Sequence, residues 1–305
     1  MEERTAESDP VTVFAAVAGR THPGQRRAEN QDNFLIGDLA GFDDGLVLRP
    51  QAELNASAAT LSLGEHGAVL IVADGVGGAA AGRLASGLAC TFILAELHEG
   101  WCCDSDQSPR RFVLRLREAV EKTNHRIHEH ARRNPQFMGM GTTATVVGLL
   151  DGFLYIAQVG DSRAYLVRGD RATQITHDQS LVQQMVDIGA MTPEQAEESE
   201  QNNLILQALG VEPTVTVDLT VQGLRRGDLV VLCTDGLHKV VRADEIAAAY
   251  GRRREPELLC EDLVSLANVR GGPDNVTVVV ARMDGAGLEL PQPWDTVGHR
   301  RVADS

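Results

Sequence analysis

Residues Val69–Gly78 read VLIVADGVGG, an apolar run that ends on a carboxylate and continues at once into a glycine-rich turn. Short, continuous apolar runs bounded by glycine are typical of strands buried on both faces. The glycines predict the end of this strand. Asp74 then lies at the rim of a core, where the backbone can approach a ligand closely.

The composition limits the classes of partner that this chain can have. It has 305 residues, of which 43% are hydrophobic and 23% charged, and its formal net charge is −15. This length allows one large domain or two small ones, at about 150 residues per domain. The negative charge argues against nucleic acid or an anionic membrane surface as a partner. An anionic substrate would need a metal ion or arginines to reverse the local field.

The cysteines and the N-terminus predict a soluble, cytoplasmic protein. Five cysteines, two of them adjacent and none in a Cys-x-x-Cys pair, do not form a disulfide framework. Residues 1–10 are acidic and polar, unlike a secretory signal. We also find no apolar run close to the ~20 residues that a membrane span needs.

The order of apolar segments predicts one domain over residues 11–283. A disordered lead over residues 1–10 precedes it, and a flexible tail over residues 284–305 follows it. Residues 38–66 lack a sustained period and predict a surface insertion, with a small hairpin around residues 46–48. Strands come first, then two long helices, more strands and more helices. This order favours antiparallel sheets covered by helices over βαβ winding.

Acidic residues recur where an apolar strand meets a turn. They are Asp74, Asp161 and Asp235 after strands, Asp274 before one, and Asp32 at the mouth of an early strand. Each one alone could be an ordinary turn aspartate. However, the runs before Asp74 and Asp235 are continuously apolar, and converging buried carboxylates repel one another unless cations lie between them.

The chemistry of such a cluster favours a hard divalent cation. Carboxylates, a glycine carbonyl and water suit Mg²⁺ or Mn²⁺, whereas no histidine or cysteine stands at the spacing that zinc would require. Two ions that share a carboxylate can activate a bridging water for in-line attack at phosphorus. The residues therefore favour a metal-dependent phosphoryl hydrolase over a calcium-stabilised structural module.

A nucleotide-binding site is the rival interpretation of the glycines. Residues 75–80 fit a relaxed dinucleotide fingerprint, but Asp74 would bring its charge near the pyrophosphate and the βαβ continuation is missing. A phosphate-binding loop is excluded because no Gly-Lys-Ser/Thr closes the turn.

Six motifs in this order resemble those of a known family. They are Arg27-Ala-Glu-Asn-Gln-Asp32, Val72-Ala-Asp74-Gly-Val-Gly-Gly78, Gly141-Thr-Thr143, Gly160-Asp161-Ser-Arg163, Cys233-Thr-Asp235-Gly236 and Gly272-Pro-Asp274-Asn275-Val-Thr. Over residues 11–283 the chain resembles the protein phosphatase 2C family, the metal-dependent serine/threonine phosphatases, and especially its bacterial branch. Several motifs in register are a specific signal, unlike any one of them alone.

The resemblance implies an α+β fold: a β-sandwich of two antiparallel sheets flanked by pairs of α-helices, in four layers αββα. A centre of two Mn²⁺ or Mg²⁺ ions would lie at one end. Asp74 would bridge both ions, the Gly75 carbonyl would bind one of them, and Asp235 and Asp274 would hold the other. Asp161 would serve a third, weaker ion.

The resemblance also assigns the remaining site residues. Arg27 would bind the substrate phosphate, because a planar guanidinium suits two oxygens. Asp32 would orient a water at the metals and, with Arg27 and Asp74, make up the catalytic set. Residues 178–209 would form a flap beside the site, from which Asn203 could approach the third metal and the substrate.

Three departures from the family pattern stand out. Gln31 replaces a glutamate that is a metal ligand in many relatives. Val76 stands where some members have a histidine credited as general acid, so the proton donor to the leaving group is unassigned. The flap lacks the His-Pro of close relatives and has Ser199-Glu200 in that neighbourhood.

We therefore expect hydrolysis of phosphoserine and phosphothreonine in proteins by a metal-bridged water, without a phosphoenzyme. The expected partners are phosphorylated substrates of serine/threonine kinases, with no nucleic acid and no membrane, and the expected state is a monomer in signalling. The alternative is a non-catalytic module that binds phosphoproteins.

Overall fold

A computed structural model describes residues 12–40, 47–50 and 56–302, so the predicted lead over residues 1–10 lies outside the described residues. Within these ranges the strands are β1 Phe14–His22, β2 Asp32–Asp38, β3 Val47–Leu48, β4 Ala56–Ser62, β5 Ala68–Val76, β6 Gly141–Thr142, β7 Ala144–Leu150, β8 Phe153–Val159, β9 Arg163–Arg168, β10 Arg171–Gln174, β11 Asp218–Gly223, β12 Leu229–Cys233 and β13 Val276–Asp284. The α-helices are α1 Ala79–Leu97, α2 Pro109–Arg133, α3 Leu181–Asp187, α4 Pro193–Glu197, α5 Asp235–His238, α6 Ala243–Arg252 and α7 Pro256–Val269.

The strands form two antiparallel sheets. The first sheet has the order β10-β9-β12-β13-β1-β4, and the second has the order β11-β8-β7-β5-β2-β3, with β6 pairing beside β5. Neighbouring strands pair antiparallel in both sheets. The predicted α+β class and the antiparallel pairing are therefore confirmed.

Three apolar clusters separate four layers. One, with Phe34, Leu70 and Val230 among its members, lies between the two sheets. Helices α1 and α2 pack with a second cluster against the outer face of the second sheet. Helices α6 and α7 pack with a third cluster against the first sheet. Covering both faces explains why β5 and β12 are continuously apolar rather than alternating, and it confirms the αββα arrangement.

Helix α1 differs from what the sequence led us to expect. With the π-helical turn that follows it, the segment Ala80–Cys102 of 23 residues is long and apolar enough to cross a membrane by length and composition, although half (50%) of its most apolar window is buried in the protein. The prediction that no apolar run approaches that length was wrong. Small residues and Arg83 interrupt the segment in the sequence, so its full apolar length is not evident as one continuous run.

The predicted insertion over residues 38–66 contributes strands to both sheets. Val47–Leu48 forms a short strand that pairs with β2, in the place where we predicted a small hairpin, and β4 pairs with β1 along seven residues. Residues 41–46 and 51–55 lie outside the described residues. An edge strand is hydrogen-bonded on one side only and needs no strong apolar pattern, so the small residues of β4 gave little signal.

The predicted flexible tail over residues 284–305 also differs from the structure in its described part. Asp284 ends β13, and the following residues run back along β11, where Val302 donates a backbone hydrogen bond to Leu219 at 2.8 Å. Leu288 is buried, and Asp295 pairs with Arg225 at 2.8 Å. Single hydrogen bonds, buried side chains and ion pairs of this kind leave no periodicity in a sequence, so the sequence did not predict that the tail packs on the domain.

Candidate metal centre

Five aspartates converge where the two sheets end on one side. Asp32 begins β2, and Asp74 lies near the end of β5. Asp161 follows β8, Asp235 begins α5 directly after β12, and Asp274 precedes β13. The structure therefore brings together every carboxylate that the sequence predicted for the site.

Asp32 and Asp74 face each other across a strand pair. They are direct partners in the β2–β5 register. From the glycines we predicted that this strand ends at Asp74. In the structure it continues to Val76, and its last two residues pair with β6. Thr143 in turn fixes the backbone at Asp74: its N–H donates to the Asp74 carbonyl at 2.8 Å, and its hydroxyl accepts from the Asp74 N–H at 3.0 Å.

Burial and mutual repulsion shift the acidity of this cluster. Burial, followed by the charges of Asp32, Asp235, Asp161 and Asp274, raises the pKa of Asp74 well above its ordinary value. Burial and the charge of Asp235 raise the pKa of Asp161 to about 7. Several negative charges held this close are stable only when protons or cations compensate them.

Two carboxylate oxygens of the cluster have no hydrogen-bond partner among the described residues and are free to bind a cation or a water. Asp32 Oδ1 and Asp235 Oδ1 are buried and have no hydrogen-bond partner within the described ranges. Asp32 Oδ2, by contrast, accepts from the hydroxyls of Thr234 and Thr277 at 2.7 and 2.8 Å. Each free oxygen needs a cation or a water as partner.

The donor set fits Mg²⁺ or Mn²⁺ better than zinc. No group of three or more histidine, cysteine or acidic side chains in the described part of the chain is arranged to hold one ion by itself. Mg²⁺ and Mn²⁺ take carboxylate and carbonyl oxygens and water as ligands, and carboxylates are the donors that converge here. Tetrahedral zinc would require nitrogen or sulfur ligands that this cluster lacks.

Gly75 lies where the backbone is too crowded for any side chain. A Cβ atom there would stand 2.1 Å from the carbonyl oxygen of Gly82 and 2.8 Å from that of Gln31. The Gln31 side-chain Oε1 points to the same place, since it would lie 2.1 Å from a Cβ on Gly82. Backbone and amide oxygens thus gather around Gly75 and Gly82, next to Asp74 in the chain.

Arg27 reaches the centre from the solvent side. Its Nη2 donates to Asp274 Oδ2 at 2.6 Å, and 54% of its side chain remains exposed. The hydrogen bond and charge of Asp274, together with the charges of Asp235 and Asp74, raise the pKa of Arg27. The guanidinium is therefore held at the rim of the cluster and remains accessible to an anion.

Asn275 organises the Arg27 loop, and we did not assign it a role from the sequence. Its Nδ2 donates to the carbonyls of Pro23 and Glu29, both at 2.9 Å, and its Oδ1 accepts from the Gln31 N–H at 2.9 Å. The side chain is 5% exposed. The Asp-Asn pair before β13 was visible in the sequence, but its partners lie more than 240 residues away.

The predicted flap is a folded segment beside the centre. It contains α3 and α4, and a capping box of Thr192 and Gln195 begins α4. Asn203 does not contact the carboxylates; its Oδ1 accepts from Lys239 Nζ at 2.6 Å. The same ammonium donates to Asp235 Oδ2 at 2.6 Å. The sequence contained one signal for Lys239, its i,i+4 spacing from Asp235 on a helix.

Comparison with known proteins identifies the family that this chain resembles. The family model for protein phosphatase 2C matches residues 54–258. The serine/threonine protein phosphatase PstP of Mycobacterium tuberculosis (strain ATCC 25618 / H37Rv) is 41% identical over 276 residues, which cover 89% of this chain and 45% of PstP. The protein phosphatase PhpP of Streptococcus pneumoniae (serotype 2, strain D39) is 33% identical over 216 residues, which cover 71% of this chain and 86% of PhpP.

A solved structure extends the likeness to three dimensions. The catalytic domain of PstP in complex with two manganese ions has a TM-score of 0.69 at 34% identity, covering 90% of this chain and 100% of that one. The chain spans about half the length of PstP, 45% of it. The motifs, the four-layer fold and the extent of both matches show that this chain belongs to the protein phosphatase 2C family.

Proposed function

We propose that this chain is a metal-dependent protein phosphatase that hydrolyses phosphoserine and phosphothreonine with two Mn²⁺ or Mg²⁺ ions. One observation carries the proposal: Asp32, Asp74, Asp161, Asp235 and Asp274 converge at one end of the sandwich, with Arg27 at their rim. The two manganese ions in the PstP catalytic domain support the choice and number of metals.

The residues that would hold the ions follow from the cluster. Asp74 and the Gly75 carbonyl lie together, and Asp235 and Asp274 approach from the other sheet. Asp161 completes the set beside Asp235. When bound, divalent ions lower the pKa of a water and neutralise the oxygens of a phosphoryl group.

Two side chains act on substrate and water directly. Arg27 offers a planar fork to two phosphate oxygens and orients the phosphoryl group over the cluster. Asp32 is held through Oδ2 by two threonine hydroxyls, so its free Oδ1 can accept a proton from a water in the centre. In the chain without metal, burial raises the pKa of Asp32 to about 7.

The wider setting is also part of the proposal. We infer that the substrates are proteins phosphorylated by serine/threonine kinases, and that the chain acts as a monomer in cytoplasmic signalling. The free state of all five cysteines supports a reducing compartment. The net charge of −15 supports a monomer, because it makes self-association unfavourable.

Phosphate release from a phosphothreonine peptide tests the proposal. We expect turnover with Mn²⁺ or Mg²⁺, none with chelator, and a loss of at least about a hundredfold for Asp74→Asn, since one member of the cluster is removed. Asp170→Asn in the exposed β9–β10 turn is the matched control. Wild-type turnover in Asp74→Asn would contradict the proposal, and peptide binding without any release would favour the non-catalytic module.

A further inference from the structure

Lysine is rare in this chain, and one of its two lysines lies in the metal centre. Lysine and arginine together number 28, and the only lysines are Lys122 and Lys239. Lys122 lies on α2 and is 57% exposed, whereas Lys239 lies directly after α5 and is 22% exposed. A compact, tethered ammonium therefore occurs next to the carboxylate cluster and nowhere else near it.

Lys239 binds one of the two carboxylate oxygens of Asp235 and leaves the other without a hydrogen-bond partner in the part of the chain that the structure describes. Its Nζ donates to Oδ2 at 2.6 Å, on the side of the flap. Oδ1 is buried and has no hydrogen-bond partner within the described residues. One oxygen thus remains for an ion inside the cluster, while the other already has a positive partner.

The same ammonium connects this carboxylate to the flap. It donates to Asn203 Oδ1 at 2.6 Å, which joins residue 203 of the flap to the element that begins at Asp235. Asp161 lies on the same side, because the neighbouring His238 Nε2 contacts the Asp161 backbone oxygen at 3.1 Å.

Space alone would not keep another ion out of this position. Asp161, Lys239 and Asn202 line a cleft of about 660 Å³ between the flap and α5. A hydrated divalent ion occupies far less than that, since the share of liquid volume of one water is about 30 Å³. Arg163 and Arg242 also line the cleft, but they pair with Asp178 and Asp244. Lys239 is the cation that contacts Asp235 itself, so its charge can exclude an ion from Oδ2 of that carboxylate.

We propose that the Lys239 ammonium occupies a cation position at Oδ2 of Asp235, between that carboxylate and Asn203, so that it fastens the flap to the centre in place of a third divalent ion. The inference rests on the proposed function only in assuming that the inner cluster binds metal. A tethered ammonium holds its position at high effective concentration, and it repels a divalent ion that would compete for Asp235 Oδ2.

Counting bound Mn²⁺ tests the exclusion. We expect two ions per chain in the wild type and in Lys122→Met, and three in Lys239→Met, by calorimetric titration and by electron paramagnetic resonance of free Mn²⁺. The methionine keeps the apolar stem and removes the charge. Three ions in the wild type, or two in Lys239→Met with an unchanged circular dichroism spectrum, would overturn the inference.

Acylation of lysine tests the link to the flap. We expect Asn203→Ala to speed the acylation of Lys239, read by mass spectrometry, and to leave that of Lys122 unchanged, with and without Mn²⁺. No change in the ratio of the two rates would overturn the link. Neither readout requires turnover: an inactive protein that gives the expected ion counts and rates would contradict the proposed function and leave this inference standing.

Discussion

Asn275 Oδ1 accepts a 2.9 Å hydrogen bond from the backbone N–H of Gln31, which precedes it by 244 residues. This bond joins the loop before β13, which carries Asp274, to the loop before β2, which carries Arg27. Two further hydrogen bonds from Asn275 Nδ2 fix the same loop at Pro23 and Glu29. One amide side chain therefore joins the two loops that carry Arg27 and Asp274 beside the metal centre.

Removing this amide should loosen the rim. Asn275→Ala leaves buried backbone groups without partners, and we expect it to lower the free energy of unfolding by about 1–3 kcal/mol. It should also raise KM for a phosphopeptide, because Arg27 loses its support. Asn275→Asp retains an acceptor for Gln31 but sets a buried carboxylate oxygen against the carbonyls of Pro23 and Glu29, so it should destabilise at least as much as Asn275→Ala. Denaturant unfolding and steady-state kinetics measure both effects, and wild-type values in Asn275→Ala would contradict this role.

Replacing Arg27 should weaken recognition of the phosphate. We expect Arg27→Ala to lower kcat/KM by about tenfold to a hundredfold, the effect of losing charge-assisted hydrogen bonds worth about 1.5–3 kcal/mol. Arg27→Lys should recover only part of the loss, because an ammonium cannot form the planar fork. Arg26→Ala removes the same charge from the exposed neighbouring position and serves as the control. If Arg26→Ala and Arg27→Ala behave alike, Arg27 has no specific role.

A methyl group at Gly75 should disturb the centre through the backbone. The new Cβ would stand 2.1 Å from the Gly82 carbonyl oxygen, so β5 and the start of α1 must move apart. We expect Gly75→Ala to lower the free energy of unfolding by about 1–3 kcal/mol and to weaken Mn²⁺ binding.

Gly87→Ala is the matched control within α1. There the nearest atom to a new Cβ is Asn33 Nδ2 at 3.5 Å, an ordinary contact. The substitution should raise stability by about 0.5–1 kcal/mol, because alanine favours a helix interior. Thermal melting of both variants checks the pair. A destabilised Gly87→Ala beside an unaffected Gly75→Ala would contradict the geometry.

Stability without metal should fall as pH rises. Burial raises the pKa of Asp161 and of Asp32 to about 7 in the folded chain, whereas unfolded aspartates titrate near about 4. Between about pH 4 and about pH 7 the folded state binds more protons than the unfolded state, so the free energy of unfolding decreases across this window.

Melting in chelator from about pH 5 to about pH 8 measures this slope. Mn²⁺ should reduce it, since cations replace the protons as compensating charge, and Asp161→Asn should reduce it in chelator. A melting temperature of the chelated protein that increases through the same window would contradict the predicted linkage.

The sequence alone determined the parts of this protein that have a local signature. Continuous apolar runs identified β5 and β12 as doubly buried strands, because burial on both faces selects apolar residues at every position. Their positions at strand ends predicted that Asp74, Asp161, Asp235 and Asp274 would meet, and the structure brings these carboxylates together. Ser108-Pro109 and Thr192-Pro193 are helix-start patterns in the sequence, and Ser108 and Thr192 cap α2 and α4 in the structure, because caps satisfy backbone groups within one turn.

Only the tertiary structure decided the contacts that join distant segments. The edge strand β4, the return of residues 285–302 along β11, the three hydrogen bonds of Asn275 and the contact of Lys239 with Asn203 all depend on partners far away in the chain. A weakly apolar edge strand or a single polar side chain carries no period that reveals its partner. The reason is physical: local patterns record burial and backbone geometry, whereas the partner of a polar atom is fixed only when the sheets and helices pack.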